Sequence, residues 1–455
     1  MLTQIDKAQT LAERFGGWRE GEFVPAGVPV GRIAEEHGTP FYLYHGEMIS
    51  ERVRRVRNAL GGDVEVTYSV KANPNLAVCQ LIAREQLTGA EVASSGELVV
   101  VRAAGFAPED IVFAGPAKTD EELRMAVQEG IFAVNVESLN EIDRLAAIAR
   151  REERKIGVGL RINPAAQLMG SQMRMGGTVG QFGLDEADLP EAVRRTLSYQ
   201  DQLVLRGIHI YTATQVFDAD ALLEHCRNIF EIALQTADLA GRSLEMVDFG
   251  GGFGVPYFEK MEEFDLERFG EGYGQLLASY RSDPRLAGCR FVFELGRYLV
   301  ADAGVYVTRV VDVKEMKGKT FVTTDGGMNH HLTATGNMGQ VFRKAYPILN
   351  LSRAGASTGE EEGVALAGPC CTPLDMFGTN IPLEDPRPGD LIGVFYSGAY
   401  GYSASNLGFL SHPTPAEVLL WQGEARLLRP VGKPEDVLRD QEPLPAPERE
   451  SGVLG

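Results

Sequence analysis

The feature that most restricts the fold of this chain is an eightfold alternation of β-forming and helix-forming segments between about residues 64 and 300. The eight predicted strands are residues 64–70, 90–94, 111–114, 132–136, 156–163, 204–211, 246–249 and 290–294. Amphipathic helical stretches separate them, most clearly at residues 121–128, 139–150, 221–239 and 266–280. Eight strands separated by helices match a (β/α)₈ barrel, whereas the alternative, a doubly wound open sheet, would not require eight units.

The pattern changes after about residue 303, where proline and glycine interrupt short strand-like runs with few helical stretches between them. These runs are residues 304–313, 320–324, 363–367, 390–395 and 416–421. We therefore predict an α/β chain made of a barrel and a mostly antiparallel β domain. The predicted parts are the barrel at 45–303, the β domain at 304–440 with 1–44 added to it, a surface loop at 356–362 and a disordered tail at 441–455.

Charge and cysteine content exclude several classes of protein. The chain has 63 acidic and 44 basic residues, a net charge of −19, which disfavours binding to nucleic acids and to anionic membranes. It has no apolar run of membrane-spanning length, and residues 1–14 lack the apolar stretch of a secretory signal. Five scattered cysteines without CxxC spacing predict a reducing cytoplasm, with neither a disulfide framework nor a metal site.

A lysine, Lys71, ends the first predicted strand in the segment Tyr-Ser-Val-Lys-Ala-Asn. Burial at the end of a strand lowers the pKa of an amine, and a neutral amine can form a Schiff base with an aldehyde. The alternative is a lysine that simply reaches solvent at the mouth of the barrel. For Lys71 taken alone that alternative would be favoured, so the choice between the two interpretations depends on the other motifs of the chain.

Other functional side chains also stand at predicted strand ends, where barrel enzymes carry their chemistry. The glycine run 250–254 exposes backbone N–H groups that can hold a phosphate, although a tight turn is the alternative. Arg297 offers a bidentate partner for the same phosphate, and Thr214 adds a hydroxyl.

A carboxylate at a buried strand end, Glu294, needs a cation beside it. A protonated pyridine nitrogen is one such cation, and an ion pair with Arg161 or Arg297 is the alternative. Tyr211 can lie against a face of the same ring, or it can be a core aromatic residue. In the β domain, two predicted loops at 368–375 and 397–401 carry a thiol and a phenol, suited to proton donation and phosphate binding.

These motifs resemble the fold-type III pyridoxal-phosphate decarboxylases, which include diaminopimelate and ornithine decarboxylases. The resemblance runs from about residue 39 to residue 418. It rests on Tyr-Ser-Val-Lys-Ala-Asn, Asp-Phe before Gly-Gly-Gly-Phe-Gly, Glu-x-Gly-Arg, Gly-Pro-x-Cys and Gly-Ala-Tyr. It implies pyridoxal phosphate as cofactor and a homodimer in which each active site combines one barrel with the partner's thiol loop.

The resemblance also implies roles for individual residues. Catalysis falls to Lys71, Glu294 and Cys371; Cys371, not Cys370, keeps the family spacing to Asp375 and would protonate Cα. The implied cofactor-binding residues are Lys71, Tyr211, Thr214, Gly251, Gly252, Glu294, Gly296, Arg297 and Tyr400. The predicted substrate-binding residues are Arg161, Thr372, Asp375 and His330.

The chain departs from the family pattern at several of these positions. Tyr211 replaces the histidine that stacks on the cofactor, and Leu295 replaces the proline of Glu-Pro-Gly-Arg. Thr372 replaces the carboxylate that helps to hold a distal ammonium in diaminopimelate and ornithine decarboxylases. A buried ammonium without that partner is costly, so substrates with a basic side chain become less favoured.

The same departures resemble one subgroup, the butirosin-pathway decarboxylases of a glutamyl group thioesterified to an acyl carrier protein, together with exosortase-associated decarboxylases. The similar segments are 175–177 with 181–183, 207–212, 326–331 and 409–415. A carrier protein is generally acidic, so a docking patch needs local positive charge. Arg150, Arg151, Arg154 and Lys155 are the candidate patch, with a solvated helix end as the alternative.

Decarboxylation of an amino acid or aminoacyl group is thus the predicted activity, with a free amino acid such as diaminopimelate as the alternative substrate. An amino-acid racemase on this fold would place an arginine near the ring nitrogen, and Glu294 argues against it. A non-catalytic regulator is a further alternative, and retention of Lys71 and Cys371 argues against that.

Overall fold

The computed structural model describes residues 3–85, 87, 89–165, 173–174, 179–337, 344–353, 363–383 and 385–445. Its strands are β1 (Trp18–Arg19), β2 (Glu22–Phe23), β3 (Phe41–His45), β4 (Glu65–Ser69), β5 (Gly89–Val92), β6 (Ile111–Phe113), β7 (Ala133–Val136), β8 (Ile156–Asn163), β9 (Met173–Arg174), β10 (Leu184–Asp185), β11 (Leu203–His209), β12 (Ala213–Thr214), β13 (Met246–Asp248), β14 (Arg290–Leu295), β15 (Gly304–Met316), β16 (Lys319–Thr324), β17 (Ile348–Asn350), β18 (Val364–Ala367), β19 (Met376–Ile381), β20 (Leu391–Phe395), β21 (Ala416–Trp421) and β22 (Glu424–Arg429). Its α-helices are α1 (Gln4–Phe15), α2 (Val30–His37), α3 (Gly46–Leu60), α4 (Leu76–Arg84), α5 (Ser95–Ala104), α6 (Asp120–Glu129), α7 (Leu139–Arg151), α8 (Leu189–Ser198), α9 (Ala219–Ala240), α10 (Leu266–Tyr280) and α11 (Arg297–Val300).

Eight parallel strands close into a barrel in the order β4, β5, β6, β7, β8, β11, β13, β14. The barrel closes where β14 pairs with β4, with Glu294 beside Thr67. The predicted (β/α)₈ barrel is therefore confirmed, and the open-sheet alternative is wrong because an open sheet has two unpaired edges. The eight predicted strands agree with the observed bounds to within about two residues.

Local sequence explains where the barrel helices begin. Thr119 and Glu122 form a capping box at the start of α6, and Ser94 and Ser138 accept a backbone hydrogen bond at the starts of α5 and α7. Each helix packs its apolar face on the barrel and returns the chain to the next strand. The carboxyl ends of the eight strands consequently open on one face, and this face carries the site.

A second sheet is built around the long strand β15, which pairs antiparallel with β16, β20 and β3. The pairings of β17 with β20, β18 with β19 and β21 with β22 are also antiparallel, whereas those of β16 with β18 and of β21 with β3 are parallel. The predicted mostly antiparallel β domain is therefore confirmed. Strand β3 comes from the start of the chain, as expected if residues 1–44 belong with this domain. The domain limits at 45, 303 and 440 remain our prediction.

Besides β3, three strands of the second sheet were not predicted, namely β17, β19 and β22. The first is only three residues long, and β19 includes Gly378 and Asn380, which rarely occur in strands. The sequence of β22, Glu-Ala-Arg-Leu-Leu-Arg, suits a helix as well as a strand. Pairing with β20, β18 and β21 determines their conformation.

One hydrophobic core extends through the barrel and the second sheet. Short connections join the two sheets, since β14 leads through α11 to β15. None of the described helices is long and apolar enough to cross a membrane. The predicted loop at 356–362 and the Met-Gly-Gly segment at 175–177 lie outside the described residues, and of the predicted tail only 441–445 is described, as exposed chain.

Candidate active site

A cavity lies at the carboxyl ends of the barrel strands and brings together most of the residues predicted to bind a cofactor. It is lined by Ser69, Lys71, Tyr211, Thr214, Gly252, Phe253, Glu294, Leu295, Gly296, Arg297, Tyr298 and Tyr400. Tyr400 belongs to the loop after β20, so the second sheet completes a cavity that otherwise belongs to the barrel.

Lys71 lies in the short turn Val70–Ala72 directly after β4. Its Nζ donates to both carboxylate oxygens of Glu91, at 3.0 and 2.9 Å, and lies 5.8 Å from the centre of the Tyr211 ring. Burial alone would lower the pKa of Lys71, but the charge of Glu91, with Tyr400 and Glu294 beyond it, raises that pKa above its usual value. The predicted lowering of the Lys71 pKa is therefore wrong, because Glu91 stabilises the ammonium.

Glu294 ends β14 with its side chain buried. One carboxylate oxygen, Oε2, lies 3.2 Å from His209 Nε2, while Oε1 has no hydrogen-bond partner among the described residues. Burial would raise the pKa of Glu294, but the neighbouring His209, Lys71 and Asp248 hold it well below its usual range. Glu294 is thus an ionised carboxylate, and it lines the cavity.

The predicted alternative partners of Glu294 lie elsewhere. Arg161 Nη1 donates to Glu137 Oε1 at 2.6 Å, and its guanidinium lies 5.0 Å from the centre of the Phe182 ring. Arg297 is likewise not paired with Glu294; its nearest polar partner is the Tyr257 hydroxyl. The alternative, an ion pair of Glu294 with Arg161 or Arg297, is therefore wrong.

Asp248 and His209 are functional candidates to which sequence reasoning assigned no role. Burial and the neighbouring Glu294 raise the pKa of Asp248, so Asp248 keeps its proton beside the ionised Glu294. Atoms of Asp248, Glu294 and His209 lie within 4.8 Å of one another and can serve as metal ligands, a set that the sequence did not predict. A cationic pyridine ring beside Glu294 would balance the same charges without a metal. The signal in the sequence was polar side chains at three neighbouring strand ends.

The glycine loop after β13 packs so closely that side chains are excluded. A Cβ on Gly251 would collide with the Glu294 carbonyl oxygen, and one on Gly252 with the Ala213 carbonyl oxygen. Gly252 also has a φ of 107°, which favours glycine. The loop therefore keeps its backbone open to a ligand beside Thr214, as expected for a phosphate cradle.

Arg297, the first residue of α11, supplies the positive charge next to this loop. Its guanidinium lies 4.4 Å from the centre of the Tyr400 ring and 5.6 Å from that of Tyr257. Its Nη1 donates to the Tyr257 hydroxyl at 3.3 Å, and its buried Nε has no hydrogen-bond partner among the described residues. Arg297 and Gly252 line the same cavity, so this donor and the glycine backbone can bind one phosphate.

These residues together fit a phosphorylated pyridine aldehyde. The free donor of Arg297 and the side-chain-free glycines suit the phosphate, the free oxygen of Glu294 suits the ring nitrogen, and the amine of Lys71 suits the aldehyde. Tyr211 lies between the amine and the glycine loop, where it can face the ring.

The thiol loop after β18 does not line the cavity of its own chain. Cys371 is exposed, whereas Cys370 is buried, which raises the pKa of its thiol to about 12. Asp375 was predicted to bind substrate, but it is buried and accepts hydrogen bonds from the backbone N–H groups of Met328 and Cys370 at 2.6 and 2.7 Å. Asp375 therefore shapes the loop, and we correct its assignment. Thr372 accepts from Leu374 N at 3.3 Å.

His330 was also predicted to bind substrate, and the structure gives it another environment. Its ring is buried, with Nε2 2.9 Å from the Pro413 carbonyl oxygen and Nδ1 3.5 Å from the Tyr306 hydroxyl. Burial lowers its pKa to about 4, so the ring is neutral. His330 thus connects two loops of the second sheet, and we remove it from the substrate-binding set.

The candidate carrier-docking patch lies on the wrong face of the barrel. Arg150 and Arg151 end α7, and Lys155 directly precedes β8. They are therefore at the amino ends of the strands, opposite the cavity. Lys155 Nζ donates to the Gln200 carbonyl oxygen at 3.0 Å, as expected for a residue that caps this end of the barrel.

Comparison with known proteins agrees with this geometry. The family described as "Pyridoxal-dependent decarboxylase, pyridoxal binding domain" matches residues 47–301, more than half of the chain. The chain is 38% identical over 410 residues to L-glutamyl-[BtrI acyl-carrier protein] decarboxylase of Niallia circulans, covering 90% of this chain and 95% of that one. It is 33% identical over 430 residues to diaminopimelate decarboxylase of Zymomonas mobilis, covering 93% and 97%.

Among solved structures, diaminopimelate decarboxylase from M. jannaschi superposes with a TM-score of 0.84 at 27% identity, covering 95% of this chain and 99% of that one. The likeness thus includes both the barrel and the second sheet. The chain belongs to the pyridoxal-dependent decarboxylases, and it is a carboxy-lyase with pyridoxal phosphate as its cofactor.

Proposed function

We propose that this decarboxylase acts on an amino-acid group without a distal ammonium, and that the group is a glutamyl residue held as a thioester on an acyl carrier protein. The observation that carries the proposal is the thiol loop at 368–375. Its one acidic residue, Asp375, is buried and bonded to two backbone amides, and Thr372 stands where basic-substrate relatives have a carboxylate. The loop therefore offers no free negative charge to an ammonium.

The roles of the residues follow from their positions. Pyridoxal phosphate, when bound, supplies an aldehyde for the amine and a ring that accepts the electrons released with carbon dioxide. Lys71 would hold the aldehyde group, and Glu91 accepts hydrogen bonds from its amine. Glu294 would keep a proton on the ring nitrogen, while Arg297 and the glycine loop would hold the phosphate.

The final proton comes from a thiol. Cys371 is the exposed thiol of its loop, and it lies outside its own chain's cavity, so we propose that it enters the cavity of a partner subunit in a homodimer. There it would return a proton to Cα after carbon dioxide leaves. All five cysteines are unpaired, which supports our expectation of a reducing cytoplasm.

The relative from Niallia circulans, described as acting on a carrier-bound glutamyl group, supports this substrate. Diaminopimelate is the second candidate, favoured by relatives such as that of Zymomonas mobilis, which matches 93% of this chain. The racemase and regulator alternatives no longer stand, because the family is that of decarboxylases.

The two substrates are separated by carbon dioxide release. We would compare kcat/KM for a glutamyl-carrier thioester, a glutamyl-pantetheine thioester, free glutamate, meso-diaminopimelate, ornithine and lysine. We expect the carrier thioester to be turned over most efficiently and the basic amino acids at least about 100-fold less well, because an ammonium would stay uncompensated. Efficient turnover of meso-diaminopimelate, with none of either thioester, would overturn the proposal.

A matched pair of variants tests the role of Thr372 directly. Thr372→Asp restores the carboxylate of basic-substrate relatives and should raise kcat/KM for ornithine or diaminopimelate by about tenfold or more. Thr372→Val, of similar shape and without charge, should leave the preference unchanged. An equal response of both variants would show that position 372 does not select the substrate.

A further inference from the structure

A buried lysine of the amino-terminal helix is bonded to the chain that leaves the phosphate cradle. Lys7 on α1 is 6% exposed. Its Nζ lies 3.0, 2.7 and 2.7 Å from the carbonyl oxygens of Pro256, Phe258 and Met261. Burial lowers the pKa of Lys7, and Glu263 and Glu259 oppose that shift from a distance. An ammonium held by three carbonyls fixes the path of that chain segment.

The segment bonded to Lys7, residues 256–261, begins two residues after the glycine run 250–254. Tyr257 lies between the first two bonded carbonyls. Because Lys7 binds the carbonyls on both sides of Tyr257, it determines where this side chain stands. A second residue of the helix, Gln4, donates to the Tyr257 carbonyl oxygen at 2.9 Å. The helix α1 therefore holds the backbone of residues 256–258 by three hydrogen bonds.

Tyr257 in turn orients the cation that faces the phosphate. Its hydroxyl accepts from Arg297 Nη1 at 3.3 Å, and its ring packs on Tyr346 and Tyr396, with centroids 4.9 and 5.2 Å apart. Arg297 makes no ion pair with a carboxylate among the described residues, so tyrosine contacts determine its direction. Tyr257 and Tyr400 contact the guanidinium of Arg297 and thereby orient its unpartnered Nε.

We propose that Lys7 is a positioning residue for the phosphate end of the cofactor site, acting through Tyr257 on Arg297. The amino-terminal helix, which lies outside the matched family segment 47–301, then contributes to the affinity for pyridoxal phosphate without contacting it. This inference depends on the cofactor and is independent of the identity of the substrate.

The test measures cofactor affinity in the full-length protein freed of cofactor. Lys7→Met keeps the length and the apolar stem and removes the three donors. We expect the Kd of pyridoxal phosphate, from absorbance or fluorescence titration, to rise about tenfold in this variant. The Kd of pyridoxal, which lacks the phosphate, should stay within about twofold, because Lys71 and Glu294 are untouched.

Controls separate positioning from general stability. Thr10→Ala, on the exposed part of the same helix, should leave both dissociation constants unchanged. The phosphorus-31 resonance of the bound cofactor should shift in Lys7→Met and not in Thr10→Ala, since only the first alters the surroundings of the phosphate. Lys7→Arg, which keeps the charge and donors, should recover part of the affinity.

Tyr257→Phe removes the hydroxyl that contacts Arg297 and keeps the ring. If Lys7 acts through Tyr257, Lys7→Met and Tyr257→Phe combined should weaken binding by less than the product of their separate effects. Equal weakening of pyridoxal and pyridoxal phosphate, no weakening of either, or full multiplication of the two effects would overturn the proposal. If Lys7→Met does not fold, Lys7→Gln takes its place and should weaken the binding of pyridoxal phosphate more than that of pyridoxal. An unchanged Kd of pyridoxal phosphate in Lys7→Gln would overturn the proposal.

Discussion

At the scale of single residues, the charge of Glu294 depends on side chains that neighbouring strands bring to it. His209 ends β11, and Asp248 ends β13, which lies between β11 and β14 in the barrel. His209 places a nitrogen 3.2 Å from Glu294, and Asp248 keeps its own proton, so Glu294 stays ionised although burial alone would neutralise it. An ionised Glu294 would keep a bound pyridine nitrogen protonated, as we propose.

Replacement of Glu294 by glutamine should separate cofactor binding from catalysis. The amide in Glu294→Gln can still hydrogen-bond the ring but cannot stabilise its protonated form. We expect the variant to retain cofactor and to lose decarboxylation by roughly 100-fold or more. Cofactor absorbance and kcat measured on the same sample check this. An unchanged kcat would show that the ring nitrogen has another partner.

Lys71 should be the lysine that carries the cofactor. Its Nζ is directed into the cavity by Glu91, close to Tyr211 and the phosphate loop. Borohydride reduction followed by peptide mapping should find the pyridoxyl group on Lys71, and Lys71→Ala should abolish that label. A label on any other lysine would contradict the assignment.

At the scale of elements, buried neutral histidines connect the loops of the second sheet. His330 joins the loop after β16 to the segment before β21, and His331 Nε2 lies 2.8 Å from Ser397 Oγ in the loop of Tyr400. Burial lowers the pKa of His330 to about 4 and that of His331 to about 3. Unfolded chain binds a proton at these rings near pH 6.5, whereas folded chain does not.

Folding should therefore be sensitive to acid in a defined window. Because the folded pKa of His330 lies below the unfolded one, its contribution is present above about pH 6.5 and is lost as pH falls towards 4. Protonation of one such histidine in the unfolded chain lowers the free energy of unfolding by about 2 kcal/mol between pH 6.5 and 5. Denaturant unfolding at pH 7 and pH 5 should show this loss, and His330→Gln, which can still donate to Pro413, should show less of it. An equal loss in both proteins would assign the acid sensitivity to other groups.

The elements themselves differ in how well local sequence predicts them. Barrel strands are buried on both faces and bounded by capped helices, so apolar runs and caps mark them clearly. Strands β17, β19 and β22 are short or polar, and cross-strand pairing stabilises them. Their conformation therefore depends on partners far along the chain.

At the scale of the whole molecule, the cavity of one chain lacks the proposed proton donor. Lys71, Glu294 and Arg297 meet in the cavity, while the loop of Cys371 lies outside it with an exposed thiol. A second copy of the chain is the simplest source of that thiol, as the proposed function requires. The assembly, not the fold of one chain, would then complete the site.

Subunit mixing should reveal shared sites. Lys71→Ala and Cys371→Ala should each be inactive, and mixing them should restore up to about one quarter of wild-type activity, since a random heterodimer has one site with both residues intact. Activity and subunit exchange, followed by differently tagged chains, would be measured together. Exchange without recovery of activity would place Cys371 in its own subunit's site.

Local sequence was enough to predict the order of the barrel units, the glycine run proposed to bind phosphate, and the lysine and glutamate at the strand ends. These depend on local patterns of hydrophobicity, caps and turns, which neighbouring residues specify. The folded structure was needed to show that Glu91 accepts hydrogen bonds from Lys71 and that His209 and Asp248 flank Glu294. It was also needed to show that Asp375 and His330 are buried, and that Lys7 bonds to the chain segment next to Arg297. Each of these depends on contacts between segments distant in the chain, and burial beside a particular charge, rather than residue type, determines what such a side chain does.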